Sequence, residues 1–198
     1  MWQGGGAMAV GSRRRAPMSR IAIPTREAAP TASQPLLEAV NKQLGVVPNL
    51  FRLVSLSPAA LQGFIGLNGA LTKALDLKTR ERIAIAVAQA NGCDYCLSAH
   101  TYLGLNLAKI DRGEVALNRD GGSSDPKANA AVHFAVRVAE TRGKVGDADI
   151  EAVKKAGYSD AQIVEIVAVV AENVLTNFVN NVAETDIDFP VVRVADRA

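Results

Sequence analysis

Two cysteines and a histidine lie close together in the stretch from Glu81 to His100, which reads ERIAIAVAQANGCDYCLSAH. Cys93 and Cys96 are the two cysteines of the chain, and His100 is one of its two histidines. Two thiols three residues apart can exchange with a disulfide, reduce a peroxide or bind a metal ion. The spacing alone therefore leaves three chemistries open: thiol–disulfide exchange, peroxide reduction and metal binding.

The spacing of these residues also indicates that their side chains share one face of a helix. Positions three, four and seven residues apart are neighbours on a helical surface, which applies to Cys93, Cys96 and His100. Asn91-Gly92 is typical of a helix end, so Cys93 would lie at the start of the next helix, where unpaired N–H groups favour a thiolate. His100, one turn from Cys96, can instead take the Cys96 proton. The residues alone leave open which sulfur is the more acidic.

Glu81 is brought to the same place by the expected turn. If the chain reverses at Asn91-Gly92, the helices before and after it form an antiparallel pair. At about 1.5 Å rise per residue, this pairing places Glu81 within a turn of His100. A carboxylate beside an imidazole raises its basicity and fixes its orientation. We predict a proton relay from Cys96 through His100 to Glu81, with Cys93 able to close a disulfide; a Glu81–His100 separation above about 10 Å would contradict it.

Helix signals dominate the rest of the chain, and no convincing strand pair is present. The capping residues and apolar spacing predict helices over 33–44, 50–56, 57–74, 77–90, 93–108, 125–142, 147–156 and 159–184, with a short helix at 111–117 left open. The fold class is therefore expected to be all-α, with roughly eight helices. The last helix is apolar over most of its circumference, which predicts burial in the centre of the core or against another subunit.

Length and composition narrow the class of protein. A chain of 198 residues with 48% hydrophobic and 21% charged residues is typical of one globular domain. A net charge of +2 is too small to indicate a nucleic-acid partner, and two cysteines cannot form a disulfide scaffold. With neither a secretory leader nor an uncharged apolar run of about 18 residues, we expect a soluble cytoplasmic protein with no membrane partner.

The expected domain covers residues 20–190. Residues 1–19 contain three consecutive glycines and three consecutive arginines without apolar periodicity, which is typical of a flexible arm. This arm need not belong to the natural chain, since Met18 is a plausible start. Residues 191–198 are expected to form a C-terminal tail.

The four-residue pattern of Glu81, Cys93, Cys96 and His100 resembles the alkylhydroperoxidase D (AhpD) core of the carboxymuconolactone decarboxylase superfamily. The glutamate precedes the first cysteine by twelve residues, and the histidine follows the second by four. The segments GVVPNLFRLVSLSPAAL and SDAQIVEIVAVVAENVLTNFVN also resemble its peroxidase-related branch. The resemblance covers about residues 20–190.

This resemblance implies an all-helical AhpD-like bundle that assembles as a homo-oligomer, a trimer or hexamer. It implies an antioxidant peroxidase that reduces hydroperoxides without haem, metal or other cofactor. Carried over, Cys96 is the thiolate that peroxide oxidises to sulfenic acid, and Cys93 resolves it to a disulfide. Glu81 and His100 form the proton relay. A lipoyl-bearing or thioredoxin-like protein then reduces the disulfide through the more exposed Cys93.

Tyr95 departs from the family pattern, because the best-studied type has a second histidine between its cysteines. A tyrosine cannot act as a base near neutral pH, which indicates weaker activity or a different substrate. Other readings remain: a disulfide oxidoreductase using the same cysteines, a metal-binding regulatory or structural oligomer, and a decarboxylase that does not need the cysteines. The metal reading would use Cys93, Cys96, His100 and Glu81, although structural zinc usually draws its ligands from separate chain segments.

Overall fold

A computed structural model describes residues 19–196, and helices account for most of that range. Within it there are nine α-helices, one short 3₁₀ helix at Thr31–Ser33 and no strand. The helices are α1 (Gln34–Leu44), α2 (Asn49–Val54), α3 (Pro58–Leu71), α4 (Leu77–Ala90), α5 (Asp94–Asn106), α6 (Arg112–Arg119), α7 (Pro126–Thr141), α8 (Asp147–Lys155) and α9 (Asp160–Ala183). The predicted all-α class is confirmed. The segment at 111–117, which the sequence left open, forms α6 and brings the described α-helices from the expected eight to nine.

Side-chain caps start several helices where the sequence predicts them. The Asp76 carboxylate accepts from the Thr79 N–H at 3.0 Å and opens α4. Ser159 and Gln162 form the expected capping box of α9. α3 ends at Leu71, three residues earlier than predicted, and the hydroxyl of the next residue, Thr72, donates to the carbonyl of Gly69 there.

The chain reverses between α4 and α5, as the Asn91-Gly92 signal predicts. Gly92 has a φ of 66°, in the left-handed region that favours glycine, and Cys93 follows it as the N-cap of α5. α4 and α5 then pack against each other. This reversal places the early residues of α4 beside the later turns of α5.

The centre of the molecule is α4, which packs against α5, α6, α7 and α9. Ile83, Ile85 and Val87 of α4 are fully buried. The main apolar cluster combines α4 with α7, α8 and α9, and a second cluster surrounds the two cysteines. Because α4 is fixed on so many sides, Glu81 is carried on a rigid element.

α9 is buried on one side only, so the expectation of burial around nearly its whole circumference is not met within the chain. Its inner residues, such as Ile166 and Val169, belong to the main core. The outer residues form what we call the α9 stripe: Val164, Val167, Ala171, Leu175, Phe178 and Val182, all exposed. In length and composition α9 could cross a membrane, a property it shares with core helices of soluble proteins.

The segment after α9 folds back over the start of α5. The Val192 N–H donates to the Ser98 hydroxyl at 2.9 Å, and the Val194 N–H donates to the Asp94 carboxylate at 2.8 Å. Of the predicted arm at residues 1–19, only Ser19 is among the described residues. The described part of the C-terminal tail, to Asp196, thus contacts the helix that carries the thiols.

Candidate active site

Glu81 and His100 are in direct contact across the α4–α5 pair. The Nδ1 atom of His100 lies 2.9 Å from Oε2 of Glu81. The Glu81 side chain is 11% exposed and that of His100 is 24% exposed, so the pair lies at the edge of the interior. The predicted proximity is confirmed, well within the limit of about 10 Å. The bond holds Nδ1, which leaves Nε2 as the ring nitrogen free to exchange a proton.

The two cysteines are reduced and buried at the first turn of α5. Cys93 is 0% exposed and Cys96 is 3% exposed. The backbone N–H of Cys96 donates to the Cys93 sulfur at 3.3 Å, so Cys93 caps the helix with its own side chain. The expectation that Cys93 is the more exposed thiol is wrong for this reduced chain, because the turn at Gly92 directs the N-cap side chain inward.

Cys96 is the more acidic of the two thiols. The Cys93 thiol donates a hydrogen bond to the Cys96 sulfur, and this bond, with the charge of His100, lowers the pKa of Cys96 despite its burial. The same hydrogen bond, burial and the Asp94 carboxylate raise the pKa of Cys93. These contacts oppose the helix-start argument for an acidic Cys93, and the assignment of Cys96 as the thiolate stays a prediction.

His100 is poised to carry a positive charge. Burial disfavours the imidazolium, but the charge and hydrogen bond of Glu81 outweigh burial, and the pKa of His100 is raised. Cys96 also contributes to this rise as a neighbouring anion. Lowering one pKa and raising the other favours a thiolate–imidazolium pair at neutral pH.

Two asparagines of α9 complete the surroundings of Cys96. Nδ2 of Asn180 donates to the Cys96 sulfur at 3.2 Å, and the amide of Asn177 lies near the same sulfur. The sequence alone did not assign these residues to the site. Since α9 follows α5 by more than 50 residues, no local spacing could have linked them to the thiol; their polarity within an apolar helix was the available signal.

Glu172 is a second carboxylate that the sequence did not assign to the site. It is buried on α9, and Nδ2 of Asn68 donates to it at 2.7 Å. Burial raises the pKa of Glu172, while the neighbouring charges of His100 and Arg80 oppose that rise. The imidazole of His100 is thus approached by carboxylates from two helices, α4 and α9.

Tyr95 ties the C-terminal segment to the body of the protein. Its hydroxyl donates to Asp188 at 2.8 Å and accepts from the Leu50 N–H at 3.1 Å. Its ring packs edge-on against Phe189 at a centroid distance of 5.9 Å. Burial and the Asp188 charge raise the pKa of Tyr95, so the phenol keeps its proton and works as a structural donor.

Replacing Tyr95 by phenylalanine is expected to destabilise the protein by about 1–3 kcal/mol, because it leaves the Leu50 N–H and one oxygen of Asp188 without their partner. Thermal melting should record this as a lowered Tm. Tyr102→Phe is the matched control, since Tyr102 is 42% exposed and should change stability by less than about 0.5 kcal/mol. Equal melting of the two variants would contradict the structural role of Tyr95.

The structure gives no support to the metal-binding reading. Among residues 19–196, no group of three or more histidine, cysteine, aspartate or glutamate side chains is placed to hold a metal ion. A cleft of about 540 Å³, lined by Asp76, Arg82 and Tyr158 among others, opens at the N-terminal end of α4. The thiols follow the other end of that helix, about 20 Å away, so this cleft is separate from the site.

Comparison with known proteins agrees with this arrangement. Residues 58–141, which include the Glu81–His100 stretch, match the Carboxymuconolactone decarboxylase family. A crystal structure of an alkylhydroperoxidase AhpD core, an uncharacterized peroxidase-related protein from Ralstonia eutropha JMP134, matches with a TM-score of 0.77 and 28% identity over 87% of this chain and 94% of that one. The matched segment and the shared fold support an assignment to the AhpD-like carboxymuconolactone decarboxylase superfamily.

Further solved structures show the same fold at lower identity. An uncharacterized peroxidase-related protein from Silicibacter sp. TM1040 has a TM-score of 0.75 and 23% identity over 89% of this chain and 95% of that one. The debrominase Bmp8, in a complex with 2,3,4-tribromopyrrole, has a TM-score of 0.68 and 20% identity over 80% of this chain and 86% of that one. Curated proteins yield no match to the sequence. The AhpD-like fold therefore hosts more than one chemistry.

Proposed function

We propose that this AhpD-like protein is a thiol-dependent peroxidase that reduces hydroperoxides through Cys96 and Cys93. The observation that carries the proposal is the surroundings of Cys96: a sulfur of lowered pKa that receives the Cys93 hydrogen bond and lies one turn from the His100–Glu81 pair. These are the conditions under which a thiol is an effective nucleophile. The resemblance to AhpD cores supports the same chemistry.

The reaction divides into two steps that balance. The Cys96 thiolate attacks one oxygen of ROOH; the S–O bond forms, the O–O bond breaks, and the alkoxide takes a proton from the His100 imidazolium to leave as ROH. The Cys93 thiol then attacks the sulfenic acid, the disulfide forms, and water is released. Glu81 stabilises the imidazolium before transfer and fixes the ring throughout.

Burial favours a small peroxide over a protein disulfide as the oxidant. A folded protein disulfide must bring its sulfur to within bonding distance of the attacking thiolate, yet Cys96 is 3% exposed and Cys93 is 0% exposed. A hydroperoxide needs a much narrower path. We therefore rank the disulfide oxidoreductase below the peroxidase, and comparing rates with insulin and with an organic hydroperoxide separates them.

The fold alone does not identify a hydroperoxide as the substrate, because Bmp8, which has the same fold at 20% identity, is a debrominase. A direct experiment is to follow consumption of an organic hydroperoxide by the purified protein with an excess of dihydrolipoamide, and to repeat it with 2,3,4-tribromopyrrole. Reductant-dependent loss of hydroperoxide supports the proposal. Turnover of the bromopyrrole alone would assign the thiols a different substrate.

The reductant is proposed to be a dithiol of lipoyl or thioredoxin type, which reduces the disulfide by exchange. Apolar residues of the C-terminal segment, such as Phe189 and Val192, pack against the cluster that holds both thiols. A dithiol on a thin arm reaches such a site more easily than a folded thioredoxin-like domain. We therefore favour a lipoyl-bearing protein, and side-by-side turnover with the two reductants tests this choice.

We also propose that a second copy of this chain covers the α9 stripe. Its six residues recur at intervals of three and four over the whole helix, which is the spacing by which one α-helix packs along another. None of the six is charged, and the described helices of the same chain leave them exposed. A symmetric homo-oligomer covers this surface in every subunit.

We further propose that the protein is soluble and cytoplasmic and has no nucleic-acid partner.

Phe178→Glu is expected to dissociate the oligomer, because it places a charge in the middle of the α9 stripe, where desolvation would cost several kcal/mol. Sedimentation velocity should record the fall in mass. Leu107→Glu is the matched control: Leu107 is 58% exposed against 56% for Phe178, but it lies outside the stripe at the end of α5. A wild-type protein that sediments as a monomer would contradict this assembly.

A further inference from the structure

Asn177 and Asn180 are unusual residues for their place in the fold. They lie three residues apart on α9, so they share one face, and they are 0% and 2% exposed. Burying an amide costs free energy unless its donors and acceptor are paired. Both lie beyond residues 58–141, the part of the chain that matches the family.

The Asn177 amide is held so that its NH₂ group faces the thiol. Nδ2 of Asn91 donates to Oδ1 of Asn177 at 2.8 Å, which fixes the oxygen on the side of the α4–α5 turn. Asn91 is itself held, because Nδ2 of Asn181 donates to its carbonyl at 3.0 Å. The NH₂ group of Asn177 therefore points the other way, toward Cys96, beside the 3.2 Å contact made by Asn180.

One donor of this arrangement is unused in the reduced protein. Nδ2 of Asn177 is buried near the Cys96 sulfur but has no partner at full hydrogen-bond geometry among the described residues. An oxygen added to that sulfur would be an acceptor in the same space. The unsatisfied donor is thus placed for the oxidised form of Cys96.

Charged groups surround the two thiols and His100 from three helices. On α5, His100 acts on Cys96 and Asp94 acts on Cys93. Glu81 of α4 and the buried Glu172 of α9 both act on His100. The amides differ from all of these because they are neutral donors. Their effect on an anionic sulfur does not depend on the protonation of His100.

We propose that Asn177 and Asn180 form a donor pair that binds the Cys96 thiolate and, after oxidation, the oxygen of the Cys96 sulfenic acid. The second half of this inference rests on the proposed function. Asn180 donates to the anion while Cys96 waits for substrate, and the Asn177 donor lies beside the sulfur without a full hydrogen bond. When the S–O bond has formed, the NH₂ group of Asn177 binds the new oxygen and keeps the sulfur open to attack by Cys93. The attack forms the Cys93–Cys96 disulfide and releases that oxygen, with the proton of the Cys93 thiol, as water. The pair returns to its first state once the dithiol reductant has reduced the disulfide.

The test is the pH dependence of Cys96 alkylation by iodoacetamide, read at the single residue by mass spectrometry without any peroxide. Asn180→Leu keeps the approximate volume and removes the donor. We expect it to raise the pKa of Cys96 enough to lower the thiolate fraction on the acid limb about tenfold, the usual value of one hydrogen bond to a charged group. Asn180→Asp, which has no donor and adds a negative charge, should raise the pKa of Cys96 further.

Asn173→Leu is the matched control, because Asn173 is also a buried asparagine of α9 but donates to the Val169 carbonyl at 2.8 Å. It should leave the alkylation profile of Cys96 unchanged. Asn91→Ala changes a partly exposed residue, so this variant should fold. It removes the hydrogen bond that orients the Asn177 amide, and we expect a smaller rise in the pKa of Cys96.

The outcomes separate this inference from the proposed function. An alkylation profile of Cys96 that is the same in Asn180→Leu, Asn180→Asp and the wild type overturns the donor pair, whatever the peroxidase activity. The expected shift in a protein that ignores hydroperoxide keeps the donor pair for the thiolate and removes only the sulfenate step. In a protein that does react, Asn177→Leu should shorten the lifetime of sulfenic acid trapped in a Cys93→Ser background; an equal lifetime rejects that step.

Discussion

Cys96→Ser is expected to abolish hydroperoxide reduction, with a loss of more than about 10³-fold in kcat/KM. A serine hydroxyl at this position cannot be oxidised by peroxide, and it remains protonated where the Cys96 thiol ionises. Cys93→Ser should also stop turnover with a dithiol reductant, since no disulfide can form. The two variants nevertheless fail at different steps.

Sulfenic acid trapping distinguishes those steps. After one equivalent of hydroperoxide, Cys93→Ser should hold a sulfenic acid at Cys96 that dimedone captures, whereas Cys96→Ser should hold none at Cys93. The reason is the opposite direction of the two pKa changes, lowered for Cys96 and raised for Cys93. Trapping at Cys93 in the Cys96→Ser protein would reverse the assignment of the two thiols.

Glu81→Gln is expected to narrow the pH profile of kcat/KM from both sides and to lower its maximum by about 10²-fold. In the wild type, thiolate formation at Cys96 sets the acid limb, and loss of the His100 imidazolium sets the alkaline limb. Removing the Glu81 charge lowers the pKa of His100, so the alkaline limb moves to lower pH. The weaker imidazolium then supports the Cys96 thiolate less, so the acid limb moves to higher pH.

Glutamine suits this experiment because it keeps the shape of the side chain and an oxygen that can accept from Nδ1 of His100. Glu140→Gln, on the exposed surface of α7, is the control for loss of one negative charge and should leave the profile unchanged. A Glu81→Gln profile with both limbs unmoved would mean that the 2.9 Å contact is structural only.

The relay could be predicted from the sequence because its geometry is local. Asn91-Gly92 ends α4, the helical rise sets the distance on each side of that turn, and these two facts bring Glu81 to His100. The same reasoning left open which of the two thiols is the more acidic. A helix start favours a thiolate at Cys93, but the direction of the N-cap side chain and the hydrogen bond to Cys96 depend on burial, which spacing alone does not give.

The contribution of α9 could not be predicted in this way. Asn180 meets Cys96 across 84 residues of chain, so their contact depends on how α9 crosses α5 in the tertiary fold. The apolar circumference of α9 predicted burial but not which side would be covered by the chain itself. In the sequence, Tyr95 was only a departure from the family pattern. Its hydrogen bond to Asp188 shows that it holds the C-terminal segment in place.

The most direct test of the account is the stoichiometry of one reaction without any reductant. Fully reduced protein, mixed with excess organic hydroperoxide and stopped early, should consume one equivalent of peroxide per chain and lose both free thiols. Peptide mapping should find a disulfide between Cys93 and Cys96. Consumption of peroxide with both thiols intact, or no consumption at all, would contradict a mechanism that places the chemistry on this cysteine pair.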